Sequence, residues 1–205
     1  MGVFHACDIR GVAGQELTDV LARRIALAVG VRLQDQRIVV GGDIRLSTPG
    51  LQRIVLDALA ESGCHVLDIG TVATPVFYYA MAQTGAAGGV MITASHNPAP
   101  YNGFKLVFGP QPVSEDDIQD IAAMVEAGAR VSGPGSITAW PVIDDYIAAT
   151  AAKADRHNLK VVVDAGHGAT SHIAPILFRA CGYDVVELYC QADGTFPHRP
   201  PNPAL

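Results

Sequence analysis

Apolar residues recur along this chain in two alternating rhythms. Leu17, Val20, Leu21, Ile25 and Val29 fall at helical spacing, so Glu16 to Leu33 is predicted as an amphipathic helix. Arg37-Ile-Val-Val-Gly41 is a short β-branched run closed by glycine, the mark of a buried strand. Ser47-Thr48-Pro49 offers an N-cap and then a proline for the first turn of a helix that runs to Glu61 and stops at Gly63. His65 to Ile69 reads as the next strand, and Thr74-Pro75 opens a helix ending near Gly85. Gly89 to Thr93 is a further strand that leads into Ser95-His-Asn-Pro98, and Gly103 to Phe108 follows as another. Ser114 with Asp117 three residues on resembles a capping box for a helix reaching Ala127.

The rhythm breaks over Arg130 to Ala139, which is rich in Gly and Ser. Pro141 to Arg156 is predicted as a helix, Leu159 to Val163 as a strand, Thr170 to Cys181 as a helix and Asp184 to Leu188 as a strand. From Gln191 to Leu205 the chain is proline-rich and aperiodic. Alternating strands and helices predict an α/β fold: a layered mixed sheet flanked by helices, then the start of a second, similar unit. The expected division is a first domain over 1–135, a linking helix over 136–158, and an incomplete second domain over 159–205. One β-α-β unit cannot cover both faces of a sheet. An apolar face is therefore expected to stay open and to favour self-association.

Composition narrows the class. The chain has 205 residues, 49% hydrophobic and 17% charged, which excludes disorder over most of its length. The net charge of −6 with no basic stripe argues against a nucleic-acid partner. The opening residues lack a basic, apolar secretory pattern, and no apolar run is long enough to span a bilayer, so a cytoplasmic, membrane-free protein is expected. Cys7, Cys64, Cys181 and Cys190 form no CxxC pair and read as reduced thiols.

The chemistry concentrates between Met91 and Lys105. A strand end delivers Ser95 into a loop, and strand ends are where α/β proteins place reactive groups. Thr93, Ser95, His96, Asn97 and Lys105 bring hydroxyls, an imidazole, an amide and an ammonium to one segment, a set suited to a phosphate. Taken alone, Ser95-His-Asn-Pro98 is equally well a polar turn. Arg10 alone reads as the partner of Asp8 in a surface turn, and Lys105 as an ordinary solvated lysine. Asp43 and Arg45 repeat the Asp8-Ile-Arg10 spacing and read as a structural pair holding loops together. His167 and His172 are five apart and share no helix face, so a zinc pair is not expected. Ser95 lacks a G-x-S-x-G elbow, which disfavours a serine hydrolase.

Thr93-Ala-Ser-His-Asn-Pro98 followed by Tyr101-Asn-Gly-Phe-Lys105 closely resembles the active serine loop of the α-D-phosphohexomutases, the phosphomannomutase/phosphoglucomutase family. Further landmarks resemble that family in order along the chain. They are Phe4-His-Ala-Cys-Asp-Ile-Arg-Gly11, Gly42-Asp-Ile-Arg45 with Leu-Ser-Thr-Pro after it, and Gly70 to Pro75. Val163-Asp-Ala-Gly-His-Gly168 and Asp193-Gly-Thr-Phe-Pro197 complete the set.

The resemblance implies a mutase. Phosphorylated Ser95 would pass its phosphoryl group to a hexose 1- or 6-phosphate, and a bisphosphate intermediate would return the other one. It implies Ser95, Lys105, Arg10 and His96 as catalytic residues, and Asn97, Asn102 and Lys105 as substrate contacts. It also implies Mg²⁺ on the phosphoserine oxygen and glucose or mannose 1,6-bisphosphate as activator.

Two departures stand out. Cys7 occupies the place of the family's usual tyrosine, and the family's D-x-D-x-D-R metal loop has no counterpart, since no two aspartates here lie two apart. The chain is therefore expected to be an N-terminal part of a mutase, without turnover alone. The alternative is a non-catalytic truncated paralogue that binds sugar phosphates or a partner. Sugar preference is not legible. The CDIRG opening and the serine motif fit the phosphomannomutase/phosphoglucomutase group better than the phosphoglucosamine mutases.

Overall fold

The computed structural model describes residues 2–155 and 158–202. Seven strands make one mixed sheet: β1 (Ile9–Val12), β2 (Arg37–Gly42), β3 (His65–Thr71), β4 (Gly88–Ile92), β5 (Tyr101–Phe108), β6 (Gln111–Pro112) and β7 (Ser136–Ala139). Their spatial order is β1-β5-β4-β2-β3-β7, with β6 paired to β5. The β4, β2, β3 and β7 strands run parallel, whereas β5 is antiparallel to both β4 and β1. Helices α1 (Asp19–Arg32), α2 (Thr48–Glu61), α3 (Thr74–Thr84), α4 (Glu115–Glu126) and α5 (Ile143–Ala151) surround it. A second, parallel pair, β8 (Lys160–Asp164) and β9 (Asp184–Leu188), is joined through α6 (Ala174–Ala180).

The β-branched runs form strands buried on both faces because successive side chains point to opposite sides. Ile38 and Val40 of β2 pack with α1, α2 and α4, while Val39 between them packs with α3 and α5. Val90 and Ile92 of β4 face the first group, and Met91 faces the second. The product is the expected layered α/β sheet with helices on both sides.

Boundaries follow local chemistry. Thr18 caps α1 by accepting from the Leu21 amide, so the helix starts three residues later than expected from Glu16. Ser114 and Asp117 form the expected capping box: each side chain accepts the other's backbone N–H. Hydrogen bonds from the Ser114 amide and hydroxyl, helped by Arg32, hold the Asp117 carboxyl below its usual range. A carboxylate with a depressed folded pKa stabilises above its ordinary value and loses that contribution as pH falls through the lowered one. Asp117→Asn is expected to lose about 1 kcal/mol at neutral pH. Its deficit against the parent should shrink as pH falls below about 3.9. Urea unfolding at both acidities checks this.

Four expectations are corrected. Ser47 does not cap α2: it has helical backbone angles and no capping bond, because its hydroxyl instead accepts from Asn102. The segment 136–158 is not one linking helix. Ser136–Ala139 is the edge strand β7 on β3, which carries the first sheet beyond residue 135. The helix expected from Pro141 is shorter, α5, and its expected end at Arg156 lies outside the described residues. The Thr170 start also moves, to Ala174, since residues 168–173 form turns closed by Ser171 and Ile173 amides.

All four cysteines are free thiols. Burial, and then the Asp35 charge, push the Cys64 thiol up to about 11. The outer face of the β8–β9 pair exposes Val162, Val186 and Leu188.

Candidate active site

The C-terminal end of β4 releases the chain at Thr93, and the next residues fold into a tight loop. Thr93 Oγ1 accepts the Ser95 amide at 3.0 Å, and Ala94 O accepts both the backbone and side-chain N–H of Asn97. Ser95 has φ of 56°, a left-handed conformation that costs a non-glycine residue on the order of 1 kcal/mol. Something must hold it there.

Arg45 does so. Its side chain is 1% exposed. Nη2 donates to the carbonyls of Ser95 (3.0 Å) and Asn97 (2.7 Å), and Nη1 to those of Pro98 (2.7 Å) and Tyr101 (2.9 Å). Nε donates to Asp43 at 3.1 Å, so all five guanidinium N–H groups are used. Asp43 also accepts the Arg45 amide and the Thr48 hydroxyl, which fixes the pair to the start of α2. Burial lowers the Arg45 pKa and Asp43 raises it back in part. The guanidinium stays charged, because its ordinary value lies far above neutrality. The pair read from sequence as a loop-holding contact thus staples four carbonyls of the serine loop.

Arg10 and Lys105 meet on the neighbouring strands. Arg10 lies opposite Gly103 in the β1–β5 ladder, and Lys105 lies two residues further on the same face. Arg10 forms a two-nitrogen ion pair with Asp8, and Lys105 Nζ lies 3.7 Å from the same carboxylate oxygen. Asp8 is buried, so it is the fixed anion between two half-exposed cations. The sequence reading named it only as the partner of Arg10 in a surface turn; the structure buries it and brings Lys105 to the same carboxylate.

Ser95 and His96 border a cavity of about 330 Å³, within the range of small-molecule sites. Its near wall is made by the β4 end, the Asp43–Arg45 turn and the start of α3; its far wall is the loop after β8 and the strap near Arg199. Arg10, Lys105, Asn97 and Asn102 do not line it. Asn102 is fully buried. Its amide donates to Ser47 and Thr48 at 2.9 Å, and its oxygen accepts the Gly103 amide. The substrate contact expected of Asn102 is therefore corrected to an internal link between β5 and α2. Among the described residues, no group of three His, Cys, Asp or Glu side chains could hold a metal ion. The magnesium fit thus rests on Ser95 alone. No described helix is long and apolar enough to cross a membrane.

A mixed α/β/α layer thus places a serine loop at a strand end, beside a cavity that is also lined by the second βαβ unit. The match to known proteins makes the class specific. Residues 1–131 match the phosphoglucomutase/phosphomannomutase α/β/α domain I, and residues 144–205 match domain II. The chain is 40% identical over 205 residues to a phosphomannomutase/phosphoglucomutase from Pseudomonas aeruginosa, covering 98% of this chain and 44% of that protein. It is also 40% identical over 209 residues to a probable phosphoglucosamine mutase from Methanothermobacter thermautotrophicus, covering 98% and 46%. A phosphoglucomutase/phosphomannomutase family protein from Burkholderia thailandensis has the same fold, with a TM-score of 0.93 at 37% identity over 99% of this chain and 47% of that one. The chain belongs to the phosphoglucomutase/phosphomannomutase family, and it spans about half the length of the relatives it matches.

Proposed function

We propose that Ser95 is the phosphoryl carrier of a phosphohexomutase. The observation that carries this reading is Ser95 itself, in a strained backbone conformation at a cavity, held by a buried arginine that gives four of its five donors to carbonyls of the loop. Phosphoserine would transfer its phosphoryl group to a free hydroxyl of a hexose monophosphate. The Ser95 O–P bond breaks, a sugar O–P bond forms, and the proton lost by the sugar hydroxyl is balanced by one taken up on the freed Ser95 oxygen. The bisphosphate, glucose or mannose 1,6-bisphosphate, then returns its other phosphoryl group to Ser95. Arg10 and Lys105, held by Asp8, would balance charge on the transferring group and help move the hydroxyl proton. His96 and Asn97 would contact the phosphoryl group or the sugar phosphate. Magnesium would supply additional neutralising charge, with the phosphoserine oxygen as its ligand among the described residues.

Among the described residues no carboxylate cluster could hold a metal ion, and a second reading is therefore a sugar-phosphate binding module without turnover. On either reading we place the serine-bearing unit before the connection at 140–158 and the second α/β unit after it. A cytoplasmic location and self-association through the Val162 face belong to the same proposal. Titration with glucose 1,6-bisphosphate is expected to move the amide resonances of Ser95 to Asn97. Arg10→Gln and Lys105→Gln should each weaken binding about tenfold. Absence of binding, or binding that leaves those resonances in place, contradicts the site.

A further inference from the structure

The far wall of the cavity carries a cation that the mechanism above does not use. Arg199 borders the same cavity as Ser95 but comes from the proline-rich strap that follows β9. Its Nη2 donates to Asp164 Oδ1 at 2.7 Å, and that same oxygen accepts the Gly166 amide at 2.9 Å. The Asp164 carboxylate therefore shapes the turn after β8 and orients the guanidinium at once. Gly166 has φ of +53°, and a Cβ there would stand 3.0 to 3.4 Å from the guanidinium atoms, so the position suits glycine on two counts.

The strap is anchored on the serine side as well. Gly194 packs so closely on the Asp43–Leu46 turn that a Cβ would stand 2.5 Å from Ile44 O, and the Phe196 ring lies 5.5 Å from Arg45 Cζ. Further back, His167 Nε2 and His198 Nδ1 share a hydrogen bond of 2.7 Å immediately before Arg199. A planar, fork-shaped cation thus follows a segment anchored at Gly194, Phe196 and His198 and lines the same small cavity as a serine.

We propose that Arg199, oriented by Asp164, is a phosphoryl-binding residue that the second α/β unit supplies to the group on Ser95. The inference rests on the reading of Ser95 as phosphoryl carrier. It links the two units: the phosphorylated serine would draw the strap toward the serine loop through charge-assisted hydrogen bonds.

The test installs phosphoserine at position 95 of the full chain during synthesis, so it does not depend on whether the protein phosphorylates itself. The second ionisation of that phosphate, ordinarily near 6, is then followed by phosphorus NMR. A nearby cation favours the dianion, so Arg199→Gln is expected to raise the apparent pKa by about half a unit or more. Asp164→Asn removes a negative charge while keeping the arginine and is expected to lower it. Opposite signs identify charge at the phosphate, because a general disturbance of the turn moves both variants the same way. An unchanged pKa in Arg199→Gln, or shifts of the same sign, overturns the role of Arg199 and leaves that of Ser95 standing. Failure of the Ser95 reading shows separately, as an unmodified serine in the natural protein.

Discussion

Arg45→Ala is expected to destabilise the fold by about 3–5 kcal/mol, the range for removing one member of a buried ion pair. The change leaves the Asp43 carboxylate without its charged partner and strips one donor each from the carbonyls of Ser95, Asn97, Pro98 and Tyr101. No single neighbour can replace five fixed donors. Arg45→Lys is expected to recover only a fraction, since an ammonium has three donors on one atom and cannot span four carbonyls in a plane. Urea unfolding measures the loss. Hydrogen exchange at 95–101 should show the loop opening even where the sheet stays folded. A loss under 1 kcal/mol, with the loop still protected, would contradict the stapling role.

Gly103→Ala is expected to cost about 3 kcal/mol, at the upper end for overpacking a tight site. An added Cβ would stand 2.1 Å from the Ile9 carbonyl oxygen and 3.1 Å from Arg10 Cα. Both are backbone atoms of the paired strand, so relief requires β1 to move off β5. That movement displaces Arg10 from Asp8 and from its place beside Lys105. Thermal unfolding reports the cost, and faster exchange confined to the β1 and β5 amides reports its location. A variant as stable as the parent, with β1 still protected, would show that the close approach is easily relieved.

What the sequence made legible was local or periodic. Asp184 to Leu188 and the Ser114–Asp117 box stand where their patterns put them, because a β-branched run and a reciprocal cap depend on near neighbours. The edge strand β7 was hidden: Ser136-Ile-Thr-Ala is short and exposed, and it pairs with β3 through backbone bonds set by tertiary proximity. Ser47 misled because a serine before Thr-Pro fits an N-cap, and only the fold brings Asn102, 55 residues away, to claim its hydroxyl. Asn102 misled for the same reason from the other side. Arg45 was seen as a loop-holding residue, but its acceptors are carbonyls, which every residue carries and no sequence pattern marks. Asp8 and Arg199 share a third cause: only the fold brings Lys105 to Asp8 and sets Arg199 at the cavity that Ser95 borders.

The central claim is that Ser95 carries the phosphoryl group. The most direct measurement is intact mass with phosphosite mapping on the protein purified from its own cells. The account predicts an added mass of about 80 Da for one phosphoryl group, localised to Ser95 and absent from Ser95→Ala. A protein that carries no phosphate, or carries it on another residue while Ser95 stays free, would contradict the account and move the reading to a sugar-phosphate binding module.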